Sequence, residues 1–198
     1  LKIVRERSLP STRGNIYDCN GKLLAYNELA YSVTISDNGT YQNNKAKSEV
    51  LNPILAEISQ MLRKNDEKLY NEFKIDLDED GKYSFNVQDN QLKRFLADVF
   101  GKSSYDALKY NEDYSFNEAT ATAEQVMQYL CDSFFIDENY DQRTAYDIVV
   151  IRYAMKSTTY SRYQPITIAQ DVSDKTIAYI HEHSDTLTGV EIEEHTIR

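Results

Sequence analysis

The chain has 198 residues, a formal net charge of −10 and 41% hydrophobic residues. That length supports one good-sized domain or two small ones. The acidic balance argues against nucleic acid as a partner, which would need a basic face, and disfavours docking on anionic lipid.

The first residues, Leu1-Lys2-Ile3-Val4-Arg5-Glu6-Arg7, carry neither an initiator methionine nor a signal-peptide pattern. They read as the interior of a longer protein, and no run approaches the roughly 20 apolar residues that span a bilayer. The segment Arg13 to Ala25 then reads as a β-hairpin. Ile16 and Leu23-Leu24-Ala25 flank Cys19-Asn20-Gly21, and Asn-Gly suits a tight primed turn with positive φ at both central positions. Gly14 provides for an unusual backbone angle or a close approach. Arg13 offers a planar fork, and Asp18 is either its partner or the cap of the turn. Tyr31-Ser32-Val33-Thr34-Ile35 alternates as a further strand.

Five helices follow from apolar periodicity. The first covers about 44–64, with Leu51, Ile54, Leu55, Ile58 and Leu62 on one stripe and Asn52-Pro53 either starting or kinking it. The second covers about 89–100 and stops at Gly101. The third covers about 122–135, opened by a Thr122/Gln125 capping box. The fourth covers about 142–158: its Ile148-Val149-Val150-Ile151 run has strand propensity, but both flanks favour helix. The fifth starts near Ser173, buries Ile177 and Ile180, and ends before Gly189. Phe73 to Leu77 and Tyr83 to Val87 alternate about Asp78-Glu79-Asp80-Gly81 and form a second hairpin. Lys102 to Asn117 reads as a polar loop. Pro165 opens a strand at Ile166-Thr167-Ile168, and Val190-Glu191-Ile192-Glu193 alternates near the end. Strands at both ends around a helical middle imply an α+β fold in which the N- and C-terminal strands share a sheet. Residues 1–36 and 160–198 would form that sheet region, and 37–159 a helical and hairpin head.

The candidate chemistry is thin. Asp76-x-Asp78-x-Asp80-Gly81 imitates the start of a calcium loop, yet position twelve is Val87 where a bidentate glutamate is required, so an acidic hairpin turn is the better reading. His181, His183 and His195 have no metal-ligand spacing and read as solvated helix-end residues. Cys19 and Cys131 give no redox or metal pattern, and a bridge between them is not expected. Ser36-Asp37-Asn38 matches the Ser-x-Asn letters of penicillin-interacting enzymes, but the chain contains no Ser-x-x-Lys, and Lys175-Thr176 is followed by Ile177. Without that pair there is no activated nucleophile. No cofactor and no catalytic residue is assigned. Sixteen tyrosines and no tryptophan suit half-exposed sheets and interfaces.

Arg-Gly-x-Ile-x-Asp-x-Asn-Gly-x-x-Leu-Ala at 13–25 resembles the first box of class B penicillin-binding proteins, the cell-wall transpeptidases. Tyr163-Gln164-Pro165-Ile166-Thr167-Ile168-Ala169 is similar to a later box of that family. So are Ile177-Ala178-Tyr179-Ile180-His181-Glu182 and Thr188-Gly189-Val190-Glu191-Ile192. The resemblance runs from about residue 5 to Arg198, with no matching motif between about 37 and 118. The family usually has arginine where Cys19 stands. The resemblance implies a non-catalytic extracytoplasmic pedestal, or dimerisation domain, preceded by a transmembrane helix and followed by the transpeptidase. Its partners would be that transpeptidase, a glycosyltransferase and scaffold proteins of elongation or division, and a second copy of itself. Arg13, Gly14, Ile16, Asp18, Asn20, Gly21, Pro165 and Gly189 would be structural residues. Two other readings compete: a secreted acidic domain holding calcium or a ligand through Asp76, Asp78 and Asp80, and a hydrolase using Glu191, Glu193 and Glu194.

Overall fold

The computed structural model describes residues 14–37, 39–157 and 164–197. In chain order the strands and helices are β1 (Ile16–Tyr17), β2 (Leu23–Ala25), β3 (Glu28–Ile35), α1 (Asn44–Lys64), β4 (Ile75–Leu77), β5 (Tyr83–Phe85) and α2 (Asp89–Val99). They continue with β6 (Tyr110–Asn111), β7 (Phe116–Asn117), α3 (Ala123–Ser133), α4 (Gln142–Ser157), β8 (Ile166–Ala169), α5 (Asp174–Glu182) and β9 (Val190–Ile197). The expected helices are present within two residues at their ends. The stretch Lys102 to Asn117, expected as loop, instead holds a short 3₁₀ turn at Tyr105–Ala107 and the β6–β7 hairpin. Two-residue strands are too short to show in alternation, which is why the sequence pattern hid them.

The fold is α+β, and among the described residues the one sheet of more than two strands joins the first and last segments, as expected. β3 is central, with β8 on one side and β9 on the other, both antiparallel to it. β8, α5 and β9 are therefore a split β-α-β unit with β3 inserted between its strands. Apolar rows cross all three strands: Ile166, Ile35 and Val190 in one, Ala169, Val33 and Ile192 in the next. Such cross-strand neighbours stabilise the sheet and fix its register.

The buried residues form two clusters. One gathers Val33, Ile35 and Ile168 from the sheet, Ile54, Leu55, Ile58 and Leu62 from α1, and Ile180 from α5. The other gathers Phe73, Ile75, Phe95, Leu96, Val126, Met127 and Leu130 from the β4–β5 hairpin, α2 and α3. α4 is the wall between them. Ile148 and Ile151 enter the sheet cluster; Val149 and Val150 enter the other. A helix apolar all round is a buried helix, and burial on two sides overrides the strand propensity of four consecutive β-branched residues.

Polar side chains tie the helices together. Asn52, buried on α1, donates to the carbonyls of Phe134 and Phe135 at 3.0 and 3.1 Å and accepts from Arg152 Nη1 at 2.9 Å. Asp147, buried on α4, accepts from Ser59 Oγ at 2.8 Å and pairs with Arg63 and Arg143. Burial nonetheless pushes its carboxyl above the ordinary aspartate range, against the pull of both guanidiniums. Glu67, just past α1, caps α5 from outside: Oε1 takes the Ser173 amide at 2.7 Å and Oε2 the Thr176 hydroxyl at 2.8 Å. Pro53 lies inside α1, which runs through it from the Asn43 cap to Lys64.

Candidate functional site

The opening hairpin folds on Asp18. Its Oδ1 accepts from the amides of Asn20 at 2.8 Å and Lys22 at 2.7 Å, and its carbonyl accepts from the Gly21 amide at 3.0 Å. Asp18 is thus the cap of the turn. Gly21 has φ +80°, while Asn20 is not among the described residues with positive φ. The turn is a wider one ending in a left-handed glycine, not the two-residue primed turn expected. The second hairpin repeats it: Asp78 Oδ1 accepts from the Lys82 amide at 2.8 Å, Gly81 donates to the Asp78 carbonyl at 3.2 Å, and Gly81 has φ +80°. Asp-x-Asx-Gly-Lys is one turn used twice. The turn accounts for the Asp-x-Asp-x-Asp-Gly letters: Asp78 Oδ1 is held by the turn, and Asp76 Oδ1 accepts from Asn86 at 2.9 Å. Among the described residues no group of three or more metal-type side chains converges.

The motif residues divide into two groups at opposite ends of β3. The hairpin residues Gly14, Ile16, Asp18, Asn20 and Gly21 precede its Glu28 end. Pro165 and Gly189 flank its Ile35 end, where Ile35 pairs with both Ile166 and Val190. Seven residue steps of strand separate those ends, about 23 Å. Gly189 is fixed by its surroundings: φ is +85°, its carbonyl accepts from the Ser36 amide at 2.8 Å, and a Cβ there would stand 2.5 Å from the Ser36 carbonyl oxygen. Gly14 is different. A Cβ would meet nothing within 4 Å and its φ is outside the left-handed range, so neither reason given for that glycine holds. Arg13 and Tyr163 lie outside the described residues, as does Asn38 of the Ser36-Asp37-Asn38 triplet.

The hairpin is apolar and open. Ile16, Tyr17, Leu23 and Leu24 are 48, 55, 42 and 60% exposed, and Tyr26 and Leu29 just beyond are 50 and 56%. Small strands of this kind are marginal on their own, and several exposed apolar side chains gathered on one short hairpin suit an interaction site.

Two constellations imitate chemistry. Ser32 Oγ lies 3.3 Å from His195 Nδ1, and His195 Nε2 lies 3.6 Å from Asp171 Oδ1. These are the residue types of a hydrolytic triad, unseen in the sequence because they meet only across β3, β9 and the turn after β8. The arrangement is not a nucleophile site: Ser32 is 6% exposed, and Asp171 is a surface residue. His195 therefore belongs to the sheet, and His183 stacks on Tyr179 at 4.0 Å with Nδ1 2.8 Å from its carbonyl. His183 closes the end of α5 and is half-buried, and His181 is exposed on α5, whereas His195 lies on β9 and not at a helix end. Glu191 and Glu194 are exposed on β9 and Glu193 is half-buried; their cross-strand neighbours on β3 are Thr34, Tyr31 and Ser32 respectively. Cys19 is exposed and Cys131 half-buried, both free, and burial pushes the Cys131 thiol up to about 11.

Among the described residues no helix is long and apolar enough to cross a membrane. Residues 8–198 match the family model of the penicillin-binding protein dimerisation domain. No curated protein matches the chain. Among solved structures, it is similar to penicillin-binding protein 2B of Streptococcus pneumoniae strain 5204, at 19% identity and a TM-score of 0.40, covering 94% of this chain and 25% of that one. The same protein from strain R6 is 17% identical with a TM-score of 0.38 and the same coverage. The chain thus spans about a quarter of the length of these relatives. With the match extending over all but its first seven residues, the chain belongs to the penicillin-binding protein dimerisation-domain family, the non-catalytic part of those cell-wall proteins.

Proposed function

We propose that this domain is a pedestal that positions a downstream transpeptidase for peptidoglycan cross-linking. It stands on the extracytoplasmic face of a bacterial membrane, tethered in the full-length protein by an N-terminal transmembrane helix. The observation that carries the reading is the open apolar surface of Ile16, Tyr17, Leu23 and Leu24. Covering it against a partner domain would remove apolar area from water at roughly 25 cal/mol per Å². Gly14, Ile16, Asp18, Asn20 and Gly21 shape that surface. Pro165 and Gly189 hold the far end of the sheet, and Arg13 belongs to the same motif.

The division into an anchor, 1–36 with 160–198, and a head, 37–159, is part of this proposal. It is supported by the sheet, whose three strands come from the first and last segments, and by the second buried cluster, which lies wholly between Phe73 and Val150. The head would face partners of elongation or division, such as a glycosyltransferase, a scaffold protein or a second copy.

The test compares the 198-residue chain with its full-length parent. Fluorescent penicillin labels the parent and not the chain; a labelled chain would overturn the reading. Ile16→Ser with Leu24→Asp leaves the unfolding free energy of the chain within about 0.5 kcal/mol, as for exposed positions. In the parent the same pair lowers cross-linking activity while penicillin labelling persists. Unchanged activity would refute the hairpin's role.

A further inference from the structure

Arg152 is the least expected charge in the molecule. It sits on α4 directly after the apolar run and is 5% exposed. A buried guanidinium ordinarily has a carboxylate against it, because its desolvation is otherwise uncompensated. Here no described carboxylate is in ion-pair contact with it. Its Nη1 donates to the neutral Asn52, and its Cζ lies over the Phe134 ring, 5.2 Å from the centroid. Asp37 is the carboxylate that supports its charge from a distance, and that carboxylate is engaged by Lys47.

Arg152 borders a cleft of about 580 Å³ between the start of α1, the end of α3, the end of α4 and the start of β8. That volume is within the usual range for small-molecule sites. Its described lining holds three cations, Lys47, Arg152 and Lys156, and one carboxylate, Asp37. A positive excess of two charges is concentrated there in a chain whose net charge is −10. The amino end of α1 also opens on the cleft through Asn43 and Asn44, and no acidic residue in its first turn offsets the helix dipole. The walls are apolar and aromatic: Tyr129, Phe134, Met155 and Ile166.

We infer that this cleft binds a small organic carboxylate, of the size of an amino acid or a dipeptide, whose anionic end completes the pairing of Arg152. Charge and lining together select the class. A carboxylate suits the bidentate fork of an arginine, and walls of Tyr129, Phe134, Met155 and Ile166 favour an organic acid over inorganic phosphate. The aromatic walls take the organic body. A ligand there would touch α1, α3, α4 and β8 together, joining both buried clusters. This site is separate from the opening hairpin and does not depend on its role.

The experiment is an amide-resolved NMR titration of the 198-residue chain with N-acetylalanine. N-acetylalaninamide and inorganic phosphate serve as separate probes. N-acetylalanine is expected to shift Asn44, Lys47 and Arg152 saturably, with a Kd of about 1 mM, near −4 kcal/mol. The neutral amide is expected to bind at least about tenfold more weakly, the loss of one charge-assisted contact. Arg152→Gln abolishes the shifts. Since that change also disturbs Asn52, a second variant is Ser133→Trp, at an exposed position on the rim, which blocks the cleft without touching either core. No saturable shift with N-acetylalanine, equal binding of the amide, preference for phosphate, or unchanged binding in Ser133→Trp would each overturn the inference.

Discussion

Two glycines of the motif have opposite reasons for being where they are. Gly189→Ala must hold an L-residue at φ +85° and place a methyl 2.5 Å from a backbone oxygen. The left-handed conformation alone costs about 1–2 kcal/mol, and the β3–β9 register leaves little room for relief, so urea denaturation is expected to show a loss of roughly 2–4 kcal/mol. Gly14→Ala meets neither obstacle, and the same measurement is expected to change by less than about 0.5 kcal/mol. Two aspartates, Asp141 just before α4 and Asp147 within it, respond to pH with opposite signs. Hydrogen bonds from Thr144 hold the Asp141 carboxyl below its ordinary 3.8. Its contribution is present above 3.8 and is lost as pH falls through the lower folded value, so the gap between wild type and Asp141→Asn closes on acidification. Burial raises Asp147 above 3.8. The folded state then binds the proton more tightly than the unfolded one, so its contribution is full below 3.8 and is lost as pH rises through the folded value. The stability of wild type relative to Asp147→Asn is therefore expected to fall across that window in pH-resolved urea melts.

At the scale of elements, sequence pattern found the helices because each has a signal of its own. Thr122 and Gln125 spell the capping box that α3 displays, with Gln125 Oε1 accepting from the Thr122 amide at 2.9 Å. What pattern could not show were the pairings between elements. Arg152 counted in the sequence only as part of a helix-favouring flank, and nothing about Asn52 foretold that it would satisfy the end of α3 eighty residues later. Asn52→Ala leaves the Phe134 and Phe135 carbonyls and the Arg152 donor without that partner. Buried groups so orphaned cost roughly 1–3 kcal/mol each, and the thermal midpoint should drop accordingly. α1 carries a correctable burden in Pro53, which is exposed at the tenth position of the helix. Proline inside a helix forgoes a hydrogen bond, at about 3 kcal/mol relative to alanine. Because the native helix has adapted to it, Pro53→Ala is expected to recover at least about 1 kcal/mol in urea denaturation.

For the molecule as a whole, α4 decides how many transitions unfolding has. Its residues alternate between the two buried clusters, so neither can lose it alone. Ile148→Ala weakens the sheet cluster by roughly 2–5 kcal/mol, and Val149→Ala weakens the other by a smaller amount. Both are expected to shift one common transition, followed equally by tyrosine fluorescence, mostly from the head, and by far-ultraviolet circular dichroism. Separate transitions would show that the clusters are independent. The α+β class and the joining of the chain ends were legible from where strands and helices fell along the sequence. The order β8-β3-β9 was not, because alternation marks a strand without naming its neighbours.

That order has a consequence for the nascent chain. β3 ends at Ile35, but β8 begins at Ile166 and β9 at Val190. A ribosome adding about 5–20 residues per second leaves the central strand waiting roughly 7–26 s for the first of its partners. Throughout that interval Val33 and Ile35 have no sheet to enter, while the head between them, with its own helices and hairpins, can already be forming. The sheet that ties this domain together is thus completed only after its head has been synthesised, and whatever shelters Glu28–Ile35 during that interval governs how much of the chain reaches its folded state.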